Sequence, residues 1–131
     1  MVAWVNRYIG VPYKYGGDTI TGADCWGLVR LVLREEFGVI VPQFFHGEDD
    51  DDVPGLIKDN KASVSHVRVA DPEIGDLVLL NIRGKPHHIG IIVGNQKERN
   101  LLHTLFKQDS ALAFYNRGFW STCIEGFYRV R

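Results

Sequence analysis

The strongest periodic pattern in the sequence is helical and runs from Asp24 to Phe37. Apolar side chains recur on one stripe of this segment, at positions 25, 28, 29 and 32. Asp24 is a residue type favoured at the N-cap, and Gly38 is typical of the position at which a helix stops. The pattern therefore predicts an amphipathic helix that directly follows a glycine-rich loop over residues 16–22.

The second half of the chain has the alternation and the β-branched residues that are typical of strands. Three strand-like runs cover Asp76–Ile82, His88–Val93 and Leu101–Phe106, and two further strands are predicted near 111–116 and 122–130. The links between the first three runs are short enough for antiparallel hairpins. A helix followed by a mostly antiparallel sheet predicts the α+β fold class.

The remaining segments carry weaker patterns. Residues 3–9 predict a short helix, and another is suggested near 54–60 within a stretch, 38–75, that has little periodicity. The run from Glu48 to Asp52 is acidic throughout. It lacks the alternating oxygen ligands and the central glycine of a calcium loop, so a solvated acidic loop is the better interpretation.

Size and composition indicate a single domain over residues 1–131. The chain has 131 residues, of which 45% are apolar and 24% charged, as in an ordinary globular protein. The net charge of −1 and the lack of a long basic block argue against a nucleic-acid partner held by phosphate contacts. Two cysteines are too few for a disulfide scaffold.

No segment of the sequence predicts insertion into a membrane. No apolar run reaches the roughly 18 residues that a bilayer-spanning helix needs. The first twenty residues lack the basic start and the continuous apolar stretch of a secretory signal. We therefore expect the chain to be made in the cytoplasm, whatever its final place of action.

Cys25 is the first candidate for chemistry because it stands at the start of the predicted helix. Backbone N–H groups and the helix dipole stabilise a thiolate at such a position, whereas an ordinary thiol has a pKa of about 8.5. Cys25 also begins the apolar stripe, and cysteines are often buried for packing alone, so both interpretations stay open. Cys123 lies in a predicted strand with no helix start nearby, which favours packing.

His88 and His103 are the next candidates, and their relation depends on strand register. Positions 88, 90 and 92 of a strand share one face. If the two residue numbers of each cross-strand pair add to an odd value, such as 193, both imidazoles face the same side and His103 lies opposite Gly90. An even value separates them. Gly90 is expected to leave open space beside His88 for a reacting group.

Together, Cys25, His88 and His103 are the parts of a cysteine hydrolase: a nucleophile, a general base and a residue that orients the base. Each histidine alone is more often a satisfied core or edge residue. A zinc site made from Cys25, His87, His88 and His103 is a further alternative. It is disfavoured because adjacent histidines on a strand point to opposite faces.

The sequence resembles the NlpC/P60 family of papain-like cysteine peptidases. The resemblance rests on blocks that keep the family's order: YKYGG at 13–17, GADCWGLV at 22–29, IGDLV at 74–78, HIGI at 88–91 and LH at 102–103. It implies a papain-like fold in which the central helix bears the nucleophile and packs on the sheet. The sequence is most similar to the small phage-tail version of the family, in which a tryptophan follows the cysteine.

The resemblance implies a role for each matching residue. Cys25 corresponds to the nucleophile, His88 to the base that takes its proton, and His103 to the polar residue that orients His88. Tyr13 matches a family tyrosine whose hydroxyl lies near the nucleophile and helps to bind the developing oxyanion. The backbone N–H of Cys25 is a second candidate donor to that oxyanion.

Two further residues carry implied roles in substrate binding. Asp24 matches a family acidic residue close to the amino end of the substrate, and the same residue is also credible as an N-cap. Trp26 stands where most bacterial members have a serine that takes part in substrate binding, so the peptide specificity is expected to differ.

The implied reaction is hydrolysis of an amide in the peptide stem of the bacterial cell wall, typically between D-glutamate and the diamino acid. It passes through a thioester acyl-enzyme and requires no metal or organic cofactor. Delivery by a virion tail, with phage-tail proteins as partners, is the expectation from the resemblance. The alternatives are a phage-tail assembly component that keeps the fold with little or no hydrolase activity and an acyltransferase that uses the same thiol.

Overall fold

A computed structural model of the chain describes residues 2–43, 66–82 and 85–130. The helix suggested near 54–60 and the acidic run Glu48 to Asp52 lie outside these residues. Within the described ranges, no helix combines the length and the apolar character that crossing a bilayer requires.

The long helix α1 spans Cys25–Phe37, as predicted. It begins where it does because the Asp24 carboxylate accepts the backbone N–H of Gly27, at 2.7 Å, and so satisfies a donor of the first turn. It ends because Gly38 adopts a left-handed conformation, with φ of 66°, and donates its N–H to the carbonyl of Leu33.

A six-stranded sheet forms the other layer. Its strands are β3 (His66–Val69), β4 (Leu77–Ile82), β5 (Lys85–Ile92), β6 (Asn100–His103), β7 (Ala111–Phe114) and β8 (Ile124–Val130). They lie in the order β3-β8-β4-β5-β6-β7, and every neighbouring pair is antiparallel. The predicted α+β class with a mostly antiparallel sheet is confirmed.

Four short elements complete the described part of the chain. A 3-10 helix covers Ala3–Tyr8, close to the predicted short helix, and a two-stranded hairpin pairs β1 (Asp18–Thr19) with β2 (Gly22–Ala23) inside the predicted loop. The helix α2, Gly118–Ser121, has only four residues, too few to produce a periodic pattern.

The two faces of the sheet carry separate apolar clusters. The first cluster joins α1 to the sheet, and its sheet members are Leu77, Leu79, Ile89, Ile91, Val93, Leu102 and Tyr128. The second cluster lies on the other face and consists of Val78, Leu80, Ile92, Leu101, Tyr115 and Cys123, with Trp120 packed against it. Burial on both faces explains why residues 77–80 and 89–93 read as nearly continuous apolar runs.

The register of β5 against β6 is the one that unites the two histidines. Ile91 pairs with Leu102 and Ile92 pairs with Leu101, so the residue numbers add to the predicted odd value of 193. β6 is shorter than predicted because the chain turns after His103, where the hydroxyl of Thr104 donates to the carbonyl of Gln108 at 2.9 Å.

The N-terminal segment is tied to the start of β7 and so passes close to the end of β6. Ser110 donates its N–H to the carbonyl of Val11 at 2.9 Å, and its own carbonyl accepts the N–H of Gly10 at 2.9 Å. The Ser110 hydroxyl also accepts the N–H of Val11 at 2.8 Å. These bonds hold the loop that precedes α1 beside the loop that follows β6.

Candidate active site

Cys25 is the first residue of α1 and is 1% exposed. It belongs to the apolar cluster that joins α1 to the sheet. Neither Cys25 nor Cys123 forms a disulfide. The thiol therefore lies at a helix N-terminus, where backbone N–H groups favour a negative charge.

Asp24 fixes the position of that helix start. Its Oδ1 accepts the N–H of Gly27 and its Oδ2 accepts the N–H of Gly16, each at 2.7 Å, and the residue is 1% exposed. A side chain at Gly27 would place its Cβ 1.7 Å from the carbonyl oxygen of Gly17, so only glycine fits. The N-cap interpretation is confirmed, and a contact with the substrate's amino end stays a prediction.

Tyr13 connects the loop before α1 with the loop after β6. It forms a β-bridge with Ala23, and its ring contacts the ring of Phe106 edge-on, with centroids 5.3 Å apart. Phe106 lies three residues after His103. The half-buried tyrosine is thus near both the helix start and the end of β6, and its role in binding an oxyanion stays a prediction.

His88 and His103 contact each other directly. His88 Nε2 and His103 Nδ1 are 2.7 Å apart, which is a short hydrogen bond between imidazoles. His88 is 1% exposed and His103 is 6% exposed. The register prediction placed the two rings on one face within side-chain reach, and the structure confirms it.

Gly90 has a different role from the one expected. A Cβ at this position would lie 3.1 Å from the carbonyl oxygen of Leu102 and 3.4 Å from the Cβ of His103. The space beside Gly90 is therefore filled by β6, and the prediction that it is open to a reacting group is wrong. The missing side chain instead allows His103 to approach His88.

Burial controls the charge of the second imidazole. Loss of hydration lowers the pKa of His103 from 6.5 to about 4, because the charged form is penalised in a dry environment. His103 is therefore neutral at pH 7. A neutral imidazole has one donor and one acceptor nitrogen, so His103 Nδ1 can accept a hydrogen bond from the N–H of His88 Nε2.

Trp120 contacts both imidazoles and was missed by the sequence analysis. Its ring centroid lies 5.6 Å from that of His88 and 4.9 Å from that of His103. It belongs to α2, and it lies far along the chain from both histidines. The only available signal was an aromatic pair, Phe119-Trp120, in a polar stretch, which does not reveal a contact with β5 or β6.

Trp26 is buried rather than displayed toward a substrate. It is 6% exposed, it belongs to the cluster beneath α1, and its indole N–H donates to the carbonyl of Pro42 at 3.0 Å. This bond ties the chain beyond Gly38 to the first turn of α1. The predicted effect of Trp26 on substrate binding stays a prediction.

Cys25 and the imidazole pair approach the sheet from different sides. α1 packs on the face that presents Ile89, whereas His88 pairs with Leu80, a member of the cluster on the other face. β6 ends at His103, so the edge of β5 near His88 extends beyond it. Direct contact between the Cys25 thiol and His88 stays a prediction.

A zinc site is the alternative use predicted for Cys25 and the histidines at 87, 88 and 103. Among the described residues, no three or more His, Cys, Asp or Glu side chains are grouped so that they could hold a metal ion. The side chain of His87 lies outside the described part of the chain.

Comparison with known proteins finds relatives that align with most of this chain. The chain is 29% identical over 111 residues to the murein DD-endopeptidase MepS/murein LD-carboxypeptidase of Escherichia coli (strain K12), with 85% of this chain and 51% of that protein aligned. It is 27% identical over 128 residues to a probable endopeptidase of Haemophilus influenzae, with 96% and 68% aligned. The chain thus spans about half the length of the E. coli relative.

Comparison with solved structures supports the same fold. The NlpC/p60 domain of the peptidoglycan hydrolase SagA superposes with a TM-score of 0.63 at 20% identity, over 97% of this chain and 92% of that domain. The model of the NlpC/P60 family matches residues 10–128, which is most of the sequence. The chain therefore belongs to the NlpC/P60 family.

Proposed function

We propose that this protein is a cysteine peptidase that hydrolyses an amide bond in the peptide stem of bacterial peptidoglycan. Cys25 is the nucleophile, His88 is the general base and His103 orients the base. The observation that carries the proposal is the buried hydrogen bond between His88 Nε2 and His103 Nδ1, 2.7 Å long. Geometry of this kind sets the tautomer of a catalytic histidine. The Cys25 thiol stands at the start of a capped helix.

In the proposed mechanism the two nitrogens of His88 have different roles. Nε2 faces His103, so Nδ1 is the nitrogen left to take the proton from the thiol. His103 is neutral, because burial lowers its pKa to about 4, and it can therefore act as an acceptor at Nδ1. The proton removed from Cys25 then stays on His88, and the imidazolium remains hydrogen-bonded.

The start of α1 supplies stabilisation of negative charge. The Cys25 thiolate attacks the amide carbonyl, and the carbonyl oxygen becomes an oxyanion in the tetrahedral intermediate. The backbone N–H of Cys25 and the hydroxyl of Tyr13 are the proposed donors to that oxygen. His88 gives its proton to the leaving amine, and water activated by His88 then releases the acyl group from sulfur.

The proposed site lies at the end of β6. His103 is the last residue of β6, and Tyr13 reaches the same region through its contact with Phe106. The loop before α1 and the loop after β6 are hydrogen-bonded to each other through Ser110. A substrate that enters between these two loops meets the thiol from one side and His88 from the other.

The substrate class is proposed from relatives. The E. coli and H. influenzae relatives are named as endopeptidases, and the former name specifies murein. The finer proposal, that the chain acts as part of a phage tail, rests on Trp26 at the position after the nucleophile. In that setting the tail would deliver the domain to the wall.

The decisive experiment compares the protein with two cysteine variants. Purified peptidoglycan and synthetic stem peptides are incubated with the wild type, with Cys25→Ala and with Cys123→Ala, and the products are identified by mass. We expect cleavage by the wild type and by Cys123→Ala, and no cleavage by Cys25→Ala. Equal product from Cys25→Ala would refute the nucleophile assignment, and no product from the wild type would favour an assembly role.

A further inference from the structure

Trp120 is the aromatic residue that joins the two imidazoles. Its ring is tilted by 37° against His88 and stands nearly perpendicular, at 85°, to His103. The two centroid distances, 5.6 Å and 4.9 Å, are within the range of favourable aromatic contacts. One indole therefore packs on both partners of the His88–His103 hydrogen bond.

The indole is more exposed than the two imidazoles that it contacts. His88 and His103 are both buried, whereas Trp120 is partly exposed and packs on the cluster that includes Leu80 and Cys123. Its neighbour Phe119 is 64% exposed and contacts Trp120 edge-on, at 5.0 Å. Phe119 thus belongs to the same helix but faces water.

We propose that Trp120 is a positioning residue of the peptidase site, whose indole covers the His88–His103 hydrogen bond, excludes water from it and holds both rings in place. The inference rests on the proposed function for its catalytic consequence. Its structural part, the shielding of the imidazole pair, concerns contacts that exist whether or not the chain cleaves peptides.

The neutrality of His103 supports this role. Loss of hydration lowers the pKa of His103, so a residue that keeps water away from the ring helps to maintain that pKa. Of the elements around it, β5 contributes the titratable His88, while β7 and α2 contain no charged residue. The loop after β6 carries Lys107 and Asp109, both exposed.

The first test measures shielding without relying on activity. The imidazole C–H resonances of the wild type, Trp120→Ala, Trp120→Phe and Phe119→Ala are followed against pH by NMR. In Trp120→Ala we expect the pKa of His103 to rise from about 4 by about one unit or more toward 6.5, because water reaches the ring. Trp120→Phe and the matched control Phe119→Ala should keep a low value.

The second test measures the catalytic consequence. In Trp120→Ala we expect kcat for a cleaved peptide to fall about ten-fold with little change in KM, because a mispositioned base affects the chemical step more than binding. The acid limb of the pH profile should move to higher pH, and Trp120→Phe should restore most of the rate. The aromatic variant also serves if Trp120→Ala does not fold.

The outcomes separate the two proposals. A folded Trp120→Ala with an unchanged His103 pKa and an unchanged pH profile would overturn the positioning role, as would an equal effect of Phe119→Ala. If the wild type cleaves no peptide, the proposed function fails, and the NMR titration still decides whether Trp120 shields the imidazole pair.

Discussion

The start of α1 is held by hydrogen bonds from backbone N–H groups to the carboxylate of Asp24. The imidazole pair on the sheet is held by a hydrogen bond between two side chains. Asp24 accepts N–H groups from Gly16 and Gly27, and so fixes the helix start through the main chain. His88 and His103 are held by one bond between ring nitrogens, with Trp120 packed on both. The helix side is therefore positioned by hydrogen bonds to the main chain, and the sheet side by a side-chain hydrogen bond and ring packing.

The two sides also differ in the charge that they favour. The N-terminus of a helix stabilises a negative charge. The sheet side disfavours a positive charge on His103, whose pKa burial lowers to about 4. Under the proposed function this difference has one consequence: a proton that leaves Cys25 is carried by His88 and not by His103.

The largest effect is expected from removing the base. His88→Ala should lower kcat/KM for peptide cleavage by about 10³-fold, or about 4 kcal/mol, because general-base catalysis typically contributes 10²–10⁴-fold. The same variant should slow the alkylation of Cys25 by iodoacetamide at pH 6. His66→Ala is the matched control, because His66 lies on β3 and contacts Tyr128. Equal alkylation rates in the wild type and His88→Ala would mean that His88 does not influence the reactivity of the Cys25 thiol.

Local signals made α1 and the histidine pair predictable. The Asp24 cap, the apolar stripe and Gly38 are neighbours in sequence, so the pattern defines both ends of the helix. The strand signal of residues 88–93 and the short link to the next strand limited the register to two classes, and one of them joins His88 to His103. In these segments the contacts that determine the structure are close along the chain.

The missed features depend on contacts between distant segments. β3 pairs with β8, so that Val67 meets Arg129, and four residues with little alternation do not reveal this partner. Trp120 reaches the imidazoles through a four-residue helix. The space beside Gly90 was misjudged because its occupant is the neighbouring strand. Sequence patterns predict faces and periods, but not which distant residue fills a given space.

The next largest effect concerns the charge of His103 and changes the free energy of unfolding with pH. The folded protein binds a proton on His103 near pH 4 and the unfolded chain near pH 6.5, so the unfolded chain binds more protons between these values. The contribution of His103 to the free energy of unfolding is therefore complete above pH 6.5 and is lost as the pH drops toward 4. The loss attributable to this residue is about 3 kcal/mol, measured by urea unfolding at pH 7 and pH 4.

The variant His103→Gln isolates that contribution. It removes the titrating ring, so its unfolding free energy should decrease less between pH 7 and pH 4 than that of the wild type. Parallel pH dependences of the two proteins would show that the ring is not held in a dry environment, and the contrast in charge between the two sides of the site would be lost.

A smaller effect tests the helix side. Asp24→Ala removes an acceptor for two backbone N–H groups, and loss of an N-cap costs about 1–2 kcal/mol. Asp24→Asn keeps a side-chain oxygen for Gly27 and should recover most of the stability. Urea unfolding measures both variants. If Asp24→Ala unfolds at the same urea concentration as the wild type, the carboxylate does not fix the helix start.

The smallest effect is expected at Gly90 and tests how closely the sheet side is packed. In Gly90→Ala the new Cβ lies 3.1 Å from the Leu102 carbonyl oxygen and 3.4 Å from the His103 Cβ, so β6 must move by a few tenths of an ångström. We expect a loss of about 1 kcal/mol in the free energy of unfolding. Gly126→Ala is the matched control, because its Cβ meets the flexible end of Arg68.

Peptide cleavage by Gly90→Ala reports on the same displacement. Moving His103 away from His88 misplaces the base, so kcat should fall about ten-fold, whereas Gly126→Ala should keep the wild-type rate. Because main-chain hydrogen bonds hold the start of α1, we expect the alkylation rate of Cys25 above pH 8 to be equal in both variants. If Gly90→Ala cleaves peptide at the wild-type rate, the spacing between β5 and β6 does not limit catalysis, and packing does not decide the geometry of the imidazole pair.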